Sequence, residues 1–226
     1  MSRPVTRTAL ITGASRGIGA AIAAELGKRG VRVFGPARAE LDLGHPASVD
    51  RYLAVQKDLA VDILVNNAGI NVLNPIGSID AAAWSSMIQV NLTSALRLIQ
   101  AFAPGMAERK WGRVLSVSSV FSIVTKEKRA AYSMTKAALN ALTRSAAVEY
   151  GPSGILVNAL APGYVDTELT RRNNSAQDLE AICKTIPLRR MAQTAELAKA
   201  AAFLVSEENT YLTGQTVVVD GGFTCQ

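Results

Sequence analysis

Short apolar runs alternate along the chain with longer segments in which apolar residues recur every three or four positions. The first pattern predicts buried strands and the second predicts amphipathic helices, and their alternation is typical of βαβ units around a parallel sheet. The expected strands are Thr8–Thr12, Val31–Gly35, Asp62–Asn66, Arg113–Val117, Ile155–Leu160 and Thr216–Val219. The expected helices cover residues 18–29, 47–59, 81–90, 92–109, 130–150 and 195–204. We therefore predict an α/β fold with a doubly wound parallel sheet, in a single domain over residues 1–226.

Two regions depart from this alternation. The strand-like run Ala39–Leu43 begins about four residues after Gly35, whereas neighbouring parallel strands need a crossover of roughly a dozen residues. This run is predicted to be a loop or a very short edge strand, so the sheet has six to seven strands with the third shortened or missing. The polar segment Thr170–Thr194 carries no predicted helix or strand.

Composition narrows the class of protein. The 226 residues are 49% hydrophobic, which is enough for one core and too little for two full domains. The net charge is +6, but the basic residues are scattered and aromatic residues are few, which argues against nucleic-acid binding. The two cysteines and the single histidine, His45, form no metal-binding or disulfide pattern. No apolar run approaches the ~18 residues of a membrane span or the form of a leader peptide, so we expect no membrane association and a cytoplasmic protein.

A glycine-rich turn lies between the first predicted strand and the first predicted helix. Its spacing is G-xxx-G-x-G, and the residues expected to meet a ligand there are Gly13, Ser15, Arg16, Gly17, Ile18 and Gly19. Glycines allow positive φ and close backbone approach, and the following helix offers unpaired N–H groups to a phosphate. The turn therefore predicts a dinucleotide site.

Several further motifs accompany this turn in order along the chain. They are Asn66-Asn67-Ala68-Gly69, Asn91-Leu92-Thr93, Ser119, Tyr132-xxx-Lys136, Pro162-Gly163 and Asp220-Gly221-Gly222. Together with the turn they resemble the classical short-chain dehydrogenase/reductase family, with matching order and spacing over residues 8–222. The resemblance implies a Rossmann-like fold and a nicotinamide-dependent oxidoreductase of carbonyls and alcohols.

The catalytic residues expected are Asn91, Ser119, Tyr132 and Lys136. Tyr132 and Lys136 lie one turn apart on a helix, so that the ammonium is predicted to lower the tyrosine pKa. Ser119 follows a strand and can donate to a substrate carbonyl oxygen; Ser118 is the alternative, and the family spacing to the tyrosine selects Ser119. The resemblance gives Asn91 a water that links the lysine to solvent, while a helix N-cap before Leu92 is the structural alternative.

NADP(H) is favoured over NAD(H) as the cofactor. The second strand ends in Phe34-Gly35-Pro36-Ala37-Arg38 without an acidic residue, and Arg16 and Arg38 can grip a 2′-phosphate. The resemblance places Asp42 near the adenine. It also implies further cofactor contacts from Asn67, Ala68, Gly69, Tyr132, Lys136, Pro162, Gly163, Val165 and Thr167.

Substrate and partners follow from the resemblance alone. Residues 164–194 are expected to form a mobile substrate lid. The segments Ile186–Met191 and Leu212–Gln215 look like those of bacterial 3-oxoacyl-thioester reductases, which makes reduction of such a thioester or a related ketone the first hypothesis. The second is a dehydrogenase of a sugar, steroid or other secondary alcohol. The third is a non-catalytic dinucleotide-sensing regulator, against which the intact Ser119, Tyr132 and Lys136 argue.

Basic residues near the lid and before Tyr132 have two interpretations. They can meet an acidic carrier protein or an anionic substrate, or they can form a charged rim that aids solubility. The residues are Lys126, Lys128, Arg129, Arg171 and Arg172. The family also assembles through helices that correspond to 92–109 and 130–150, so we expect a homotetramer or homodimer, although an apolar stripe on these helices is equally compatible with the core.

Overall fold

Six parallel strands form one sheet in the computed structural model, which describes residues 6–172 and 174–225. The strands are β1 (Thr8–Ile11), β2 (Arg32–Phe34), β3 (Ile63–Asn66), β4 (Gly112–Val117), β5 (Ile155–Pro162) and β6 (Thr216–Val219). Their order in the sheet is β2-β1-β3-β4-β5-β6, and each neighbouring pair is parallel. This confirms the doubly wound parallel sheet predicted from the sequence.

Helices cover both faces of the sheet. They are α1 (Gly17–Lys28), α2 (Pro46–Val55), α3 (Ala81–Ile88), α4 (Ser94–Glu108), α5 (Ala130–Tyr150), α6 (Glu168–Arg172), α7 (Ala176–Thr185) and α8 (Thr194–Leu204). Neighbouring residues of β4 point to opposite layers: Val114 packs with Leu98 of α4, and Leu115 packs with Ile22 of α1 and Leu197 of α8. β3 and β4 are buried along their whole length, so apolar residues follow one another in Ile63-Leu64-Val65 and Val114-Leu115 without the alternation of a sheet that is exposed on one face.

The topology fixes where a ligand can bind. The chain moves outward from β1 to β2 and then returns to place β3 on the other side of β1. Ligands of open α/β sheets bind at the carboxyl ends of the strands, beside such a switch point. The loops that follow β1, β3, β4 and β5 all lie at that edge.

The region after β2 contains no strand. Residues 39–43 form a turn in which Leu41 and Leu43 are buried in the core, so the strand alternative is wrong and the loop alternative is correct. The sheet therefore has six strands among the described residues. Without a further strand after β2, β2 lies at the edge of the sheet, directly beside β1.

Two predictions on helices need correction. Residues 170–194 include α7 and the end of α6, although no helix was predicted there; Ser175 and Asp178 form a capping box that starts α7, and this signal was overlooked. Asn91 is not an N-cap, because it lies inside a π-helical turn, Gln89–Thr93, that joins α3 to α4. Element ends differ from the prediction by up to four residues.

The expected single domain over 1–226 includes residues 1–5, 173 and 226, which lie outside the described part of the chain. Over the described residues, no helix combines the length and the apolar character that a membrane span requires.

Candidate active site

Lys136 lies in the interior of the protein, although it carries an ionisable amine. Its side chain is almost completely buried, and Nζ donates a 2.7 Å hydrogen bond to the carbonyl of Val117 at the end of β4. Nζ also lies 5.7 Å from the centre of the Tyr132 ring. Burial lowers the pKa of Lys136 to about 8, because the charged ammonium loses its hydration there.

Tyr132 and Ser119 meet beside this lysine. Tyr132 occupies the first turn of α5, and Ser119 begins a short 3₁₀ turn, Val120–Ser122, directly after β4. Burial raises the pKa of Tyr132, and the neighbouring Ser119 hydroxyl and the Arg129 charge only partly oppose this. The predicted lowering of the Tyr132 pKa by Lys136 is therefore wrong for the protein alone: the loss of hydration dominates, and the ammonium is held by Val117.

The Ser119 hydroxyl accepts a 3.2 Å hydrogen bond from the backbone N–H of Phe121. This bond leaves the hydroxyl proton free to point toward another acceptor. The alternative, Ser118, donates a 3.3 Å hydrogen bond from its hydroxyl to the backbone carbonyl of Lys136, and so joins the end of β4 to α5. The geometry therefore favours Ser119, which was the choice made from the sequence.

Asn91 links three parts of the site. Its Oδ1 accepts from the N–H of Ile70 at 2.8 Å, and its Nδ2 donates to the carbonyl of Ile70 at 2.9 Å and to Thr135 Oγ1 at 3.1 Å. Thr135 in turn donates to the carbonyl of Tyr132 at 2.8 Å. The π-helical turn, a feature often found at functional sites, thus fixes the loop after β3 against the helix that carries Tyr132.

The glycine-rich turn has the backbone geometry that its sequence predicts. Gly13 and Gly17 have φ of +66° and +58°, a backbone conformation that residues other than glycine rarely adopt. A Cβ on Gly19 would lie 2.3 Å from the Gly13 carbonyl oxygen, so no side chain fits there. The turn is supported from β3, because Asn67 Nδ2 donates to the carbonyls of Thr12 and Gly13 at 2.9 and 3.2 Å.

This turn fits a dinucleotide phosphate. No side chain caps the N-terminus of α1, so its first N–H groups remain available to an anion. Ser15 and Arg16 are exposed at the turn, and Ile18 and Gly19 lie in the first turn of α1. The methyl group of Thr167 lies close to Gly17: a Cβ added to this glycine would be 3.8 Å from it. The loops after β1 and β5 thus approach each other at this point.

The two arginines expected to bind a 2′-phosphate are both exposed and both paired. Arg38 Nε lies 3.0 Å from Asp42 Oδ2, and Arg16 Nη1 lies 3.0 Å from Glu168 Oε2. Arg38 follows β2 and Arg16 follows β1, and these neighbouring parallel strands bring the two loops to the same edge. Both arginines are accessible to a ligand that can compete with exposed carboxylates.

The remaining predicted cofactor residues line the same edge. A Cβ on Gly69 would lie 3.3 Å from Asn91 Oδ1 and 3.5 Å from Lys136 Nζ, which places the Asn67-Ala68-Gly69 loop against these two side chains. Pro162 ends β5, Gly163 packs on the backbone of Asp220, and Val165 pairs with Ala192. The structure therefore gathers all the predicted site residues at the carboxyl edge of the sheet.

A pocket of about 100 Å³ opens in front of Ser119 and Tyr132. Its wall includes residues of the lid segment, Tyr164, Leu169, Thr170 and Asn174. The rings of Tyr164 and Phe121 pack edge to face at 6.0 Å, which gives the pocket an aromatic wall. Four residues of the predicted lid thus line the pocket, and the role of the segment as a lid stays a prediction.

Arg129 and Asn71 also line this pocket, and neither was in the predicted site. Arg129 had been grouped with a basic rim, but the cluster is not uniform: Lys126 and Lys128 are exposed, whereas Arg129 is buried. Arg171 and Arg172 pair with Asp166 and Glu168. The position of Arg129, three residues before Tyr132 and next to the start of α5, was the signal that could have separated it from its neighbours.

Thr12 is a second supporting residue that the predicted site omitted. Its hydroxyl accepts from the N–H groups of Asn67 and Ala68 at 3.0 and 3.1 Å, and so joins the loops after β1 and β3. No group of three or more histidine, cysteine, aspartate or glutamate residues suited to a metal ion occurs within residues 6–172 and 174–225.

Comparison with known proteins gives consistent relatives. A family model described as enoyl-(acyl carrier protein) reductase matches residues 35–224. The chain is 37% identical to the 3-oxoacyl-[acyl-carrier-protein] reductase FabG of Vibrio cholerae over 96% of both chains. It is also 37% identical to the oxidoreductase UcpA of Escherichia coli O157:H7, covering 99% of this chain and 97% of that one.

Among solved structures, the fold is similar to a gluconate 5-dehydrogenase from Burkholderia cenocepacia J2315 in complex with NADP and tartrate. The TM-score is 0.92 with 33% sequence identity, and the match covers 97% of this chain and 96% of that chain.

Proposed function

Because this chain belongs to the short-chain dehydrogenase/reductase family and so is an oxidoreductase acting on CH–OH groups, we propose that it uses NADP(H) and that Tyr132 is its catalytic acid/base. The observation that carries the proposal is the convergence of Ser119, Tyr132 and the buried Lys136 at one pocket beside the glycine-rich turn. A non-catalytic regulator has no need to bury an ammonium behind a tyrosine.

Tyr132 supplies or removes the proton on the substrate oxygen. Its raised pKa keeps the phenol protonated at neutral pH, which suits it to donate a proton when a ketone is reduced. Ser119 donates a hydrogen bond to the same oxygen and stabilises the negative charge that develops there. The nicotinamide, when bound, supplies or accepts the hydride.

Lys136 and Asn91 act behind Tyr132. Lys136 holds α5 to the end of β4 through Val117, and its ammonium faces the Tyr132 ring at a distance that favours the phenolate when the proton leaves. Lys136 would also contact the nicotinamide ribose. Asn91, which anchors Thr135 and the loop at Ile70, would hold the water that links the lysine to solvent.

The cofactor would lie along the carboxyl edge of β1, β3 and β5. The Gly13–Gly19 turn and the α1 N-terminus would hold the pyrophosphate, Asp42 would lie near the adenine, and the 67–69 and 162–167 loops would border the ribose and nicotinamide. Arg16 and Arg38 would bind the 2′-phosphate, which favours NADP(H) over NAD(H). The NADP found in the Burkholderia cenocepacia relative supports this preference.

Two substrate classes are supported by different observations. The FabG relative favours 3-oxoacyl thioesters, and the exposed Lys126 and Lys128 near the pocket would then suit an acidic carrier protein. The gluconate 5-dehydrogenase relative and the buried Arg129 favour a hydroxy acid and its oxo form. In both, the group that reacts is a secondary alcohol or its ketone.

A homodimer or homotetramer would form through α4 and α5. Leu96 on α4 and Val148 on α5 are apolar and exposed, with 38% and 78% of their surface accessible. Light scattering on the purified protein tests this, since a monomeric mass at micromolar concentration contradicts it.

The experiment that tests the proposed function is oxidation of NADPH and of NADH in the presence of a panel of small ketones, with Tyr132→Phe as the control. We expect turnover that prefers NADPH and is lost in the variant. Turnover that persists in Tyr132→Phe contradicts the assignment of Tyr132.

A further inference from the structure

We propose that Arg129 binds a carboxylate of the substrate, so that the enzyme acts on a small oxo acid or hydroxy acid. This inference rests on the proposed function, because it identifies the substrate of the same pocket. It gives the substrate a negative charge within a few atoms of the carbon that exchanges hydride.

Arg129 is a buried cation that no acidic side chain neutralises within the described residues. Only 7% of its surface is accessible, and within the described residues no carboxylate pairs with its guanidinium. Its Nε is buried and has no hydrogen-bond partner. By contrast, the nearby arginines Arg171, Arg172 and Arg190 each pair with an acidic side chain.

Such an arrangement is costly in a folded protein. A buried charge without a counter-ion or hydrogen bonds destabilises the fold by several kcal/mol, so buried arginines are normally paired. Arg129 instead packs over the face of Phe121, with its Cζ 4.8 Å from the ring centre. This contact supports the plane of the guanidinium and leaves its N–H groups available at the edge.

The unpaired group faces the place where the substrate reacts. Arg129, Ser119 and Tyr132 all line the same pocket of about 100 Å³. Arg129 precedes α5 directly and Tyr132 lies in the first turn of that helix, so their separation is fixed by the helix start. A guanidinium presents two parallel N–H groups that match a carboxylate, which is the ligand that would satisfy Arg129 best.

The wall of the pocket carries a second unsatisfied polar atom. Asn71 Oδ1 is buried without a hydrogen-bond partner, and it can accept a bond from a substrate hydroxyl. A small, polar, anionic ligand satisfies both groups. A neutral thioester offers Arg129 only a weak carbonyl acceptor, and an acyl chain offers Asn71 no donor.

The test compares two ketones that share the same acetoacetyl group, the anion acetoacetate and its neutral methyl ester, with NADPH as the cofactor. We expect the wild-type protein to prefer acetoacetate. Arg129→Gln should raise KM for acetoacetate by about tenfold or more, since hydrogen bonds to charged groups are among the strong ones, while KM for the ester changes little. Arg129→Lys should restore part of the preference, because it keeps the charge without the paired geometry.

The ratio of the KM values for the two ketones distinguishes a loss of carboxylate binding from a general disturbance of the pocket. Arg129 also influences the charge of Tyr132, but a change in Tyr132 affects kcat for both ketones equally. Arg144→Gln removes one positive charge from an exposed position of α5 and serves as the matched control. Equal losses on the two ketones in Arg129→Gln, or a wild-type preference for the ester, overturn the proposal.

A binding measurement makes the result independent of turnover. Calorimetric titration of malonate into the NADP⁺-saturated protein should give heat with the wild type and Arg144→Gln, and none with Arg129→Gln, whose melting temperature should be no lower than that of the wild type because a costly buried charge is removed. If the wild type turns over no ketone, the proposed function fails, but the malonate titration still tests whether Arg129 binds a carboxylate. Malonate binding that is the same in Arg129→Gln and wild type refutes the carboxylate site.

Discussion

Lys136 Nζ donates a 2.7 Å hydrogen bond to the carbonyl of Val117, and this bond ties the helix that carries Tyr132 to the strand that precedes Ser119. One contact therefore sets the distance between the two elements on which the proposed proton transfer depends. It also places a cation where water cannot reach it, which is the reason that its pKa falls to about 8.

Replacing Lys136 with Met should remove activity but keep the fold. Met has a similar length and fills the same buried space, but it provides neither the hydrogen bond to Val117 nor the charge facing Tyr132. We expect kcat to fall by about a hundredfold or more. Circular dichroism and kcat measured on the same sample check this, and a variant with more than half of the wild-type kcat contradicts it.

The stability of the wild type relative to Lys136→Met should rise between about pH 8 and pH 10. Lys136 has a pKa of about 8 in the folded protein and near 10.4 when unfolded, so the unfolded chain binds the extra proton in that window. The cost of burying the charge is present below pH 8, is of the order of a few kcal/mol, and disappears above the unfolded pKa. Urea unfolding of both proteins at several pH values measures the difference, and a flat difference across the window counts against it.

Tyr132→Phe should lower kcat by about 10²- to 10⁴-fold without preventing cofactor binding. The raised pKa of Tyr132 also fixes the pH dependence: the phenol remains protonated up to high pH, so ketone reduction should not accelerate from pH 6 to 9. Alcohol oxidation needs the phenolate and should accelerate over the same range. Initial rates in both directions across this range test the assignment, and the opposite slopes would refute it.

The sequence contains enough information for the sheet and for the grouping of the proposed site residues, because both depend on local patterns. Buried parallel strands appear as short apolar runs, and Tyr132 and Lys136 share a helix face through their spacing alone. The crossover length likewise left only a loop or a very short edge strand at 39–43, and the structure has a turn there.

Properties that depend on tertiary burial could not be predicted in this way. Arg129 belongs to the same basic run as Lys126 and Lys128, and its burial against Phe121 depends on tertiary packing that this run does not indicate. The direction of the Tyr132 pKa was predicted from its neighbour in sequence, whereas loss of hydration decides it. The π-helical turn at Asn91 could not be predicted from a helical periodicity of 3.6 residues either, since such a turn adds a residue without ending the helix.

Two glycines of α1 should respond in opposite ways to the same substitution. Gly19→Ala places a Cβ 2.3 Å from the Gly13 carbonyl and 2.4 Å from Asn67 Nδ2, so the turn must distort and cofactor affinity should fall. A Cβ on Gly27 meets nothing within 4 Å, and Gly27→Ala should stabilise the protein by about 0.4–1 kcal/mol by restricting the unfolded chain. NADPH titration and thermal melting of both variants test the pair, and unchanged NADPH affinity in Gly19→Ala would show that the turn does not hold the cofactor.

Arg38→Ser should shift the cofactor preference away from NADPH. Arg38 is exposed and, among the residues that the structure describes, pairs with Asp42 alone; a 2′-phosphate carries more charge than that single carboxylate and so can displace it. Loss of a charged hydrogen bond of this kind should raise KM for NADPH by about tenfold and leave KM for NADH nearly unchanged. Arg51→Gln, an exposed charge on α2, is the control for net charge. If KM for NADPH and for NADH rise together in Arg38→Ser, then Arg38 supports the shortened loop after β2 rather than binding the phosphate, and the preference must come from Arg16.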